Sequence, residues 1–158
     1  MARNTNRLVH EPGKYLDVTP FHGKWATISL RGNDVGYARV GIISSGRDYI
    51  YFQFRERKGL VAKMYIKDIV EVPMNERKLR KEQELITETW NEDEDYFERF
   101  LGSRCDIHVH STKLFEGNPG FFAARILDVT ERAIHIRENG KEFHVNRYMI
   151  CGMLESDL

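Results

Sequence analysis

Gly23-Lys24-Trp25-Ala26-Thr27-Ile28-Ser29-Leu30 and Gly102-Ser103-Arg104-Cys105-Asp106-Ile107-His108-Val109 read as one strand written twice. A glycine opens each stretch, and apolar side chains then fall at every second position, the period of a half-buried strand. The match continues downstream: Ile42-Ile43 followed by Ile50 and Phe52 has the spacing of Ile126-Leu127 followed by Ile134 and Ile136. Each copy then carries a short apolar strand, Ala62-Met64-Ile66 or Phe143-Val145. A last apolar run follows, Ile69-Val70-Glu71-Val72 in the first copy and Tyr148-Met149-Ile150 in the second. Repetition at this scale makes each copy one structural unit. It predicts a mainly β chain with a connecting helix, built as two small β modules in tandem.

Working outward, residues 1–20 read as an arm, mobile as far as Pro12-Gly13, and residues 21–73 as a basic first module. Its strands are separated by hairpin-length turns such as Ser44-Ser45-Gly46-Arg47-Asp48. Pro73 ends the last strand. Asn75 is a helix cap in type, and Leu79, Ile86, Trp90, Phe97 and Leu101 fall on one stripe at helical spacing. Residues 74–101 are therefore expected to form an acidic helical connector, helical over 75–90 and again over 93–101. The second module takes 102–158, with Glu138-Asn139-Gly140-Lys141 as a tight hairpin.

The net charge of zero conceals a division. Residues 1–80 carry 15 Lys/Arg against 8 Asp/Glu, residues 81–98 carry 1 against 8, and the rest are balanced at 8 against 8. A basic first module can meet a polyanion although the whole chain is neutral. The polar, basic start is not a secretory signal, and no apolar run approaches the roughly 20 residues of a membrane helix. The expectation is a soluble cytoplasmic protein with no membrane partner. Cys105 and Cys151, the only cysteines, lie on apolar strand patterns and read as buried thiols.

Alternation assigns faces. Ala26, Ile28, Leu30, Ile50, Phe52, Phe54, Ala62, Met64 and Ile66 are expected in the first core. Trp25, Tyr49, Tyr51, Arg55, Lys63 and Tyr65 then point outward, with Arg57, Lys58 and Lys67 in adjoining loops. Aromatic rings interleaved with cations suit unpaired bases and phosphates. These residues, with Arg39 and Arg137, form the expected nucleic-acid-binding set; packing against the connector or another protein surface is the alternative use of the same face. In the second module, His108, His110, His135 and His144 face outward and form a candidate metal cluster, or exposed strand histidines. No nucleophile elbow, Walker loop, His-Glu-x-x-His or paired-carboxylate motif occurs, so neither an enzyme nor a bound cofactor is expected.

Met64-Tyr65-Ile66-Lys67-Asp68-Ile69-Val70-Glu71-Val72-Pro73 resembles the fourth strand, short turn and fifth strand of the Sm-like family, which includes Hfq. Arg39-Val40-Gly41-Ile42-Ile43 and Tyr49-Ile50-Tyr51-Phe52 resemble its second and third strands. Ser44-Ser45 stands where that family's base-gripping Asp is expected. A weaker resemblance, on Lys14-Tyr15-Leu16-Asp17-Val18 and the order of strands and helix, is to the Pur and whirly single-strand-binding folds. Both imply RNA or single-stranded DNA as partner, bound without strong sequence preference. A homo-oligomer is a further expectation, because the acidic connector and the basic module carry opposite charges that favour head-to-tail pairing of chains. A structural or adaptor protein using the modules for protein contacts is the alternative function.

Overall fold

The computed structural model describes residues 6–31, 36–79, 84–110 and 120–157. Among the described residues there are eleven strands: β1 Arg7–Val9, β2 Trp25–Leu30, β3 Gly36–Ser45, β4 Tyr49–Phe54, β5 Arg57–Ala62, β6 Ile66–Glu71, β7 Arg104–Val109, β8 Gly120–Val129, β9 Ala133–Glu138, β10 Lys141–Asn146 and β11 Ile150–Glu155. The chain is mainly β, and none of the described helices is long and apolar enough to cross a membrane.

The repeat holds element by element. Strands β2 to β6 have the same lengths as β7 to β11, and a 3-10 turn precedes the last strand of each set, Lys63–Tyr65 or Arg147–Met149. From Gly36 and Gly120 to Glu71 and Glu155 the copies stay in register at one offset of 84 residues (120 − 36 and 155 − 71). Even their irregularities coincide. The β2–β3 ladder slips between Ala26 and Ile28, and the β7–β8 ladder between Cys105 and Ile107. Arg39 and Ala123, equivalent positions on the bulged strands, both have positive φ. Gly36 and Gly120 are both required: a β-carbon would lie 2.2 Å from the Ile28 carbonyl oxygen in the first and 2.4 Å from that of Ile107 in the second.

Two compact units result. The first takes the chain to Glu56 and Ala62–Asn91; the second takes Arg57–Val61 and the chain from Glu92 onward. Within the first unit the strand order is β1-β6-β2-β3-β4, with Ile28, Ile42, Ile50, Phe52, Ile66 and Ile69 fully buried. Within the second it is β5-β11-β7-β8-β9-β10, around Ile107, Ile126, Ile134, Ile136 and Met153. Residues 57–61 belong there because Gly59, Leu60 and Val61 pair with Leu154, Met153 and Gly152 of β11. Each buried side chain of this size contributes roughly 1.5–3 kcal/mol, so the alternating apolar positions drive both folds. Cys105 and Cys151 are buried free thiols, and burial pushes them up to about 12 and about 11.

Three expectations are corrected. Residues 7–9 of the arm form β1 on β6, held also by an Arg7–Asp68 ion pair at 2.7 Å. The helix expected over 75–90 is, among the described residues, one turn at Glu76–Leu79; residues 84–90 carry no helix. That segment lies as an extended strap on the first unit. Leu85 fills the space beside Gly41, Trp90 the space beside Gly46, the Gln53 amide donates to the Glu84 carbonyl at 3.2 Å, and the Glu88 N–H donates to the Ile43 carbonyl. Tertiary slots thus override helical spacing, and Ile86 and Leu101 of the supposed stripe are exposed. The second expected helix, 93–101, is a 3-10 turn at Tyr96–Phe100 that buries Tyr96, Phe97 and Phe100.

The third correction concerns faces. The 3-10 turn at Lys63–Tyr65 interrupts the alternation, so Met64 turns out to solvent and Lys63 turns in, at 59% and 4% exposure. Lys63 Nζ donates to the Leu16 carbonyl at 2.8 Å and sits 4.8 Å from the Tyr15 ring centroid. Arg147, its equivalent, donates to both Asp95 oxygens at 2.6 and 2.9 Å and stacks 4.2 Å over Phe97. Each copy therefore uses one cation of this turn to clamp the segment that leads into it.

Candidate nucleic-acid interface

The residues expected on the first module's binding face scatter. Trp25, Tyr51 and Lys63 are buried, so none offers a ring or charge to a ligand; Tyr49 and Tyr65 are half-buried. Arg57 and Lys58 begin β5 and are half-buried; the Arg57 guanidinium and the Lys58 backbone N–H both donate to Glu155. Only Arg39, Arg55 and Lys67 are exposed, and the Arg55 guanidinium leans over Phe54. The row formed across this sheet by Trp25, Gly41 and Gln53 is closed by the strap, at Gly41 and at Gln53.

The equivalent row in the second unit is open and made of arginine. Arg104 on β7 stands directly opposite Arg125 on β8, which stands directly opposite Arg137 on β9. All three are exposed. Neighbouring strands lie about 4.8 Å apart, so the row spans roughly 10 Å. Like charges directly opposed across a ladder oppose folding. Arg125 is steadied by donating to the Gly102 carbonyl at 2.7 Å, and Arg137 lies 3.8 Å from Glu142.

Beside the row is a groove of about 790 Å³ whose wall is the bulge of β8. Ala123 adopts φ 50°, a region that favours glycine, and the neighbouring Phe122 is 65% exposed. Two carboxylates hold this backbone: Asp106 Oδ1 accepts the Ala123 N–H at 2.8 Å, and Glu138 Oε2 accepts the Phe122 N–H at 2.6 Å. The first copy holds the equivalent bulge in the same way, the Arg39 N–H donating to Thr27 Oγ1 at 3.4 Å, so the strained backbone belongs to the shared fold. In the first copy the position of Phe122 is Ala38, so the projecting ring is peculiar to the second.

The groove therefore offers three guanidinium groups for anionic oxygens, an aromatic face for a planar ring, and two carboxylates that each spend one oxygen on the bulge. His108 lines it too, and burial holds its pKa below the ordinary value against the opposing pull of Asp106. The other histidines stand apart from any ligand set. His135 and His144 stack at 4.4 Å, His135 meets Glu142 at 2.9 Å, and His110 is exposed. Among the described residues no three His, Cys, Asp or Glu converge to hold a metal ion.

Of this constellation the sequence pattern singled out Arg137 and His108 and missed Arg104, Arg125 and Phe122. The signal was in the repeat: laying the copies over one another sets arginine on Trp25, Gly41 and Gln53. No protein-family signature matches the chain, and no curated protein matches it in sequence.

Proposed function

We propose that this protein is a non-catalytic binder of RNA or single-stranded DNA, built from two Sm-like small barrels in tandem, and that the nucleic acid lies in the groove of the second unit. The observation that carries the reading is the row Arg104-Arg125-Arg137 beside the projecting Phe122. Guanidinium groups match phosphate oxygens in bidentate fashion, and a held aromatic face stacks an unpaired base for about 1–3 kcal/mol. The equal strand lengths and the 3-10 turn before each last strand support the barrel reading.

Binding of labelled single-stranded RNA, single-stranded DNA and duplex DNA over a salt series tests it. Three phosphate contacts to a single strand give a slope of log K against log salt near about −2. Replacing all three arginines by alanine abolishes binding if the groove is the site. No binding to any strand at low salt, or an unchanged triple variant, overturns the reading.

One observation favours the second reading, a protein that acts through protein contacts. Strand β10 ends the strand order of its unit, and an open edge is a template for another strand. Light scattering without nucleic acid separates the two; a monomer at every concentration removes self-association.

A further inference from the structure

Resting on the nucleic-acid reading, we infer that the second unit's groove selects bases bearing an exocyclic amino group and discriminates against uracil. Asp106 and Glu138 flank the bulge that presents Phe122, and both line the groove together with the arginines. Each is half-buried and commits one oxygen to a backbone N–H. The second oxygen of each carboxylate is a further acceptor on a residue that lines the groove with Phe122. A base stacked on Phe122 brings its edge toward these acceptors while its phosphates reach the arginine row.

An ionised carboxylate only accepts hydrogen bonds. The cytosine 4-amino group donates, and Asp or Glu accepting from it is a known direct readout. Uracil has a carbonyl oxygen at that position, so the same approach sets oxygen against oxygen. Adenine and guanine each carry one amino donor. Cytosine and uracil are nearly equal in size and stacking face, so the comparison between them isolates the hydrogen bond.

The test uses the full chain with fluorescently labelled oligo(C) and oligo(U) of equal length at one fixed salt concentration. The expected result is oligo(C) bound about tenfold more tightly, the discrimination of one charge-assisted hydrogen bond. Asp106→Asn keeps the oxygen that accepts the Ala123 N–H and turns the free atom from acceptor to donor; Glu138→Gln does the same at Phe122. The double variant, shown folded by its thermal melt, should lose the preference or reverse it toward oligo(U). Removing two negative charges strengthens binding of both oligomers alike, so the C-to-U ratio reads the hydrogen bond alone. Equal binding of the two by the native chain, or a ratio unmoved in the folded double variant, overturns the base preference while leaving the nucleic-acid reading intact. Failure of every oligomer to bind overturns that reading and this inference with it.

Discussion

Arg104 and Arg125 stand directly opposite one another on β7 and β8, where the first copy has Trp25 opposite Gly41. That exchange separates the two halves of the molecule. Gly41 leaves room for Leu85, and the strap seals the row; arginine at the same position keeps the row charged and open. Two copies of one fold thus carry different surfaces on the same strands. The open charged row thus lies in the half that charge along the chain does not single out, since the basic first half has its row covered.

Arg104→Gln should weaken single-strand binding about tenfold while leaving stability equal to the native protein or up to about 1 kcal/mol higher, because it relieves a like-charge pair. Urea denaturation and a binding titration on the same sample check both. A loss of stability that parallels the loss of binding would show that the arginine serves the fold instead.

Much of this architecture was legible in the sequence, and the failures have physical causes. Alternation and the opening glycines survive in both copies because one face of every strand must be buried, so the repeated run of strands could be read directly. Some faces could not be read: a 3-10 turn interrupts the period of two and exchanges Lys63 with Met64, and Trp25 and Tyr51, expected outward, are buried. The arginine row was hidden for a related reason. Its register depends on slips at Cys105/Ile107 and at Ile126/Asp128, and a bulge moves every later partner by one residue. The strap was misread because its conformation is set by the glycine slots of another strand.

Gly36→Ala and Gly120→Ala should be equivalent lesions, each costing about 1–3 kcal/mol, since each forces a β-carbon against a backbone carbonyl of the neighbouring strand. Chemical denaturation of the two single variants checks the equivalence. One variant behaving as the native chain would break the structural match between the copies.

The strap gives a graded pair. At Gly46 a β-carbon would lie 2.3 Å from the Trp90 ring, which is rigid; at Gly41 it would lie 2.7 Å from the end of the Leu85 side chain, which can turn. Gly46→Ala should therefore displace the strap and shift the emission of Trp90, while Gly41→Ala should be milder. The measurement is tryptophan fluorescence in a Trp25→Phe background, with stability followed alongside. Equal effects of the two substitutions would show that the strap is not seated on Gly46 as described.

Stability should fall as pH is lowered below 6.5, before the carboxylates begin to titrate. His108 and His22 both have pKa values held below 6.5, in each case first by burial; the charge of Lys63 adds to this at His22, and a carboxylate opposes it at each, Asp17 at His22 and Asp106 at His108. In the unfolded chain both protonate near 6.5, so between that value and the lowered folded value the unfolded state binds more protons. Stability then rises with pH across this window and is lost as pH falls through it. His108→Asn removes one of the two protons and should flatten the profile by part, leaving the contribution of His22. Thermal melts at half-unit steps from pH 7.5 to about pH 5 read the slope directly. Binding of single strands should respond little to His108 over the upper part of this range, because a neutral imidazole in the groove adds no attraction for phosphate. If the variant's profile overlays the native one, His108 is not buried in the way the groove requires.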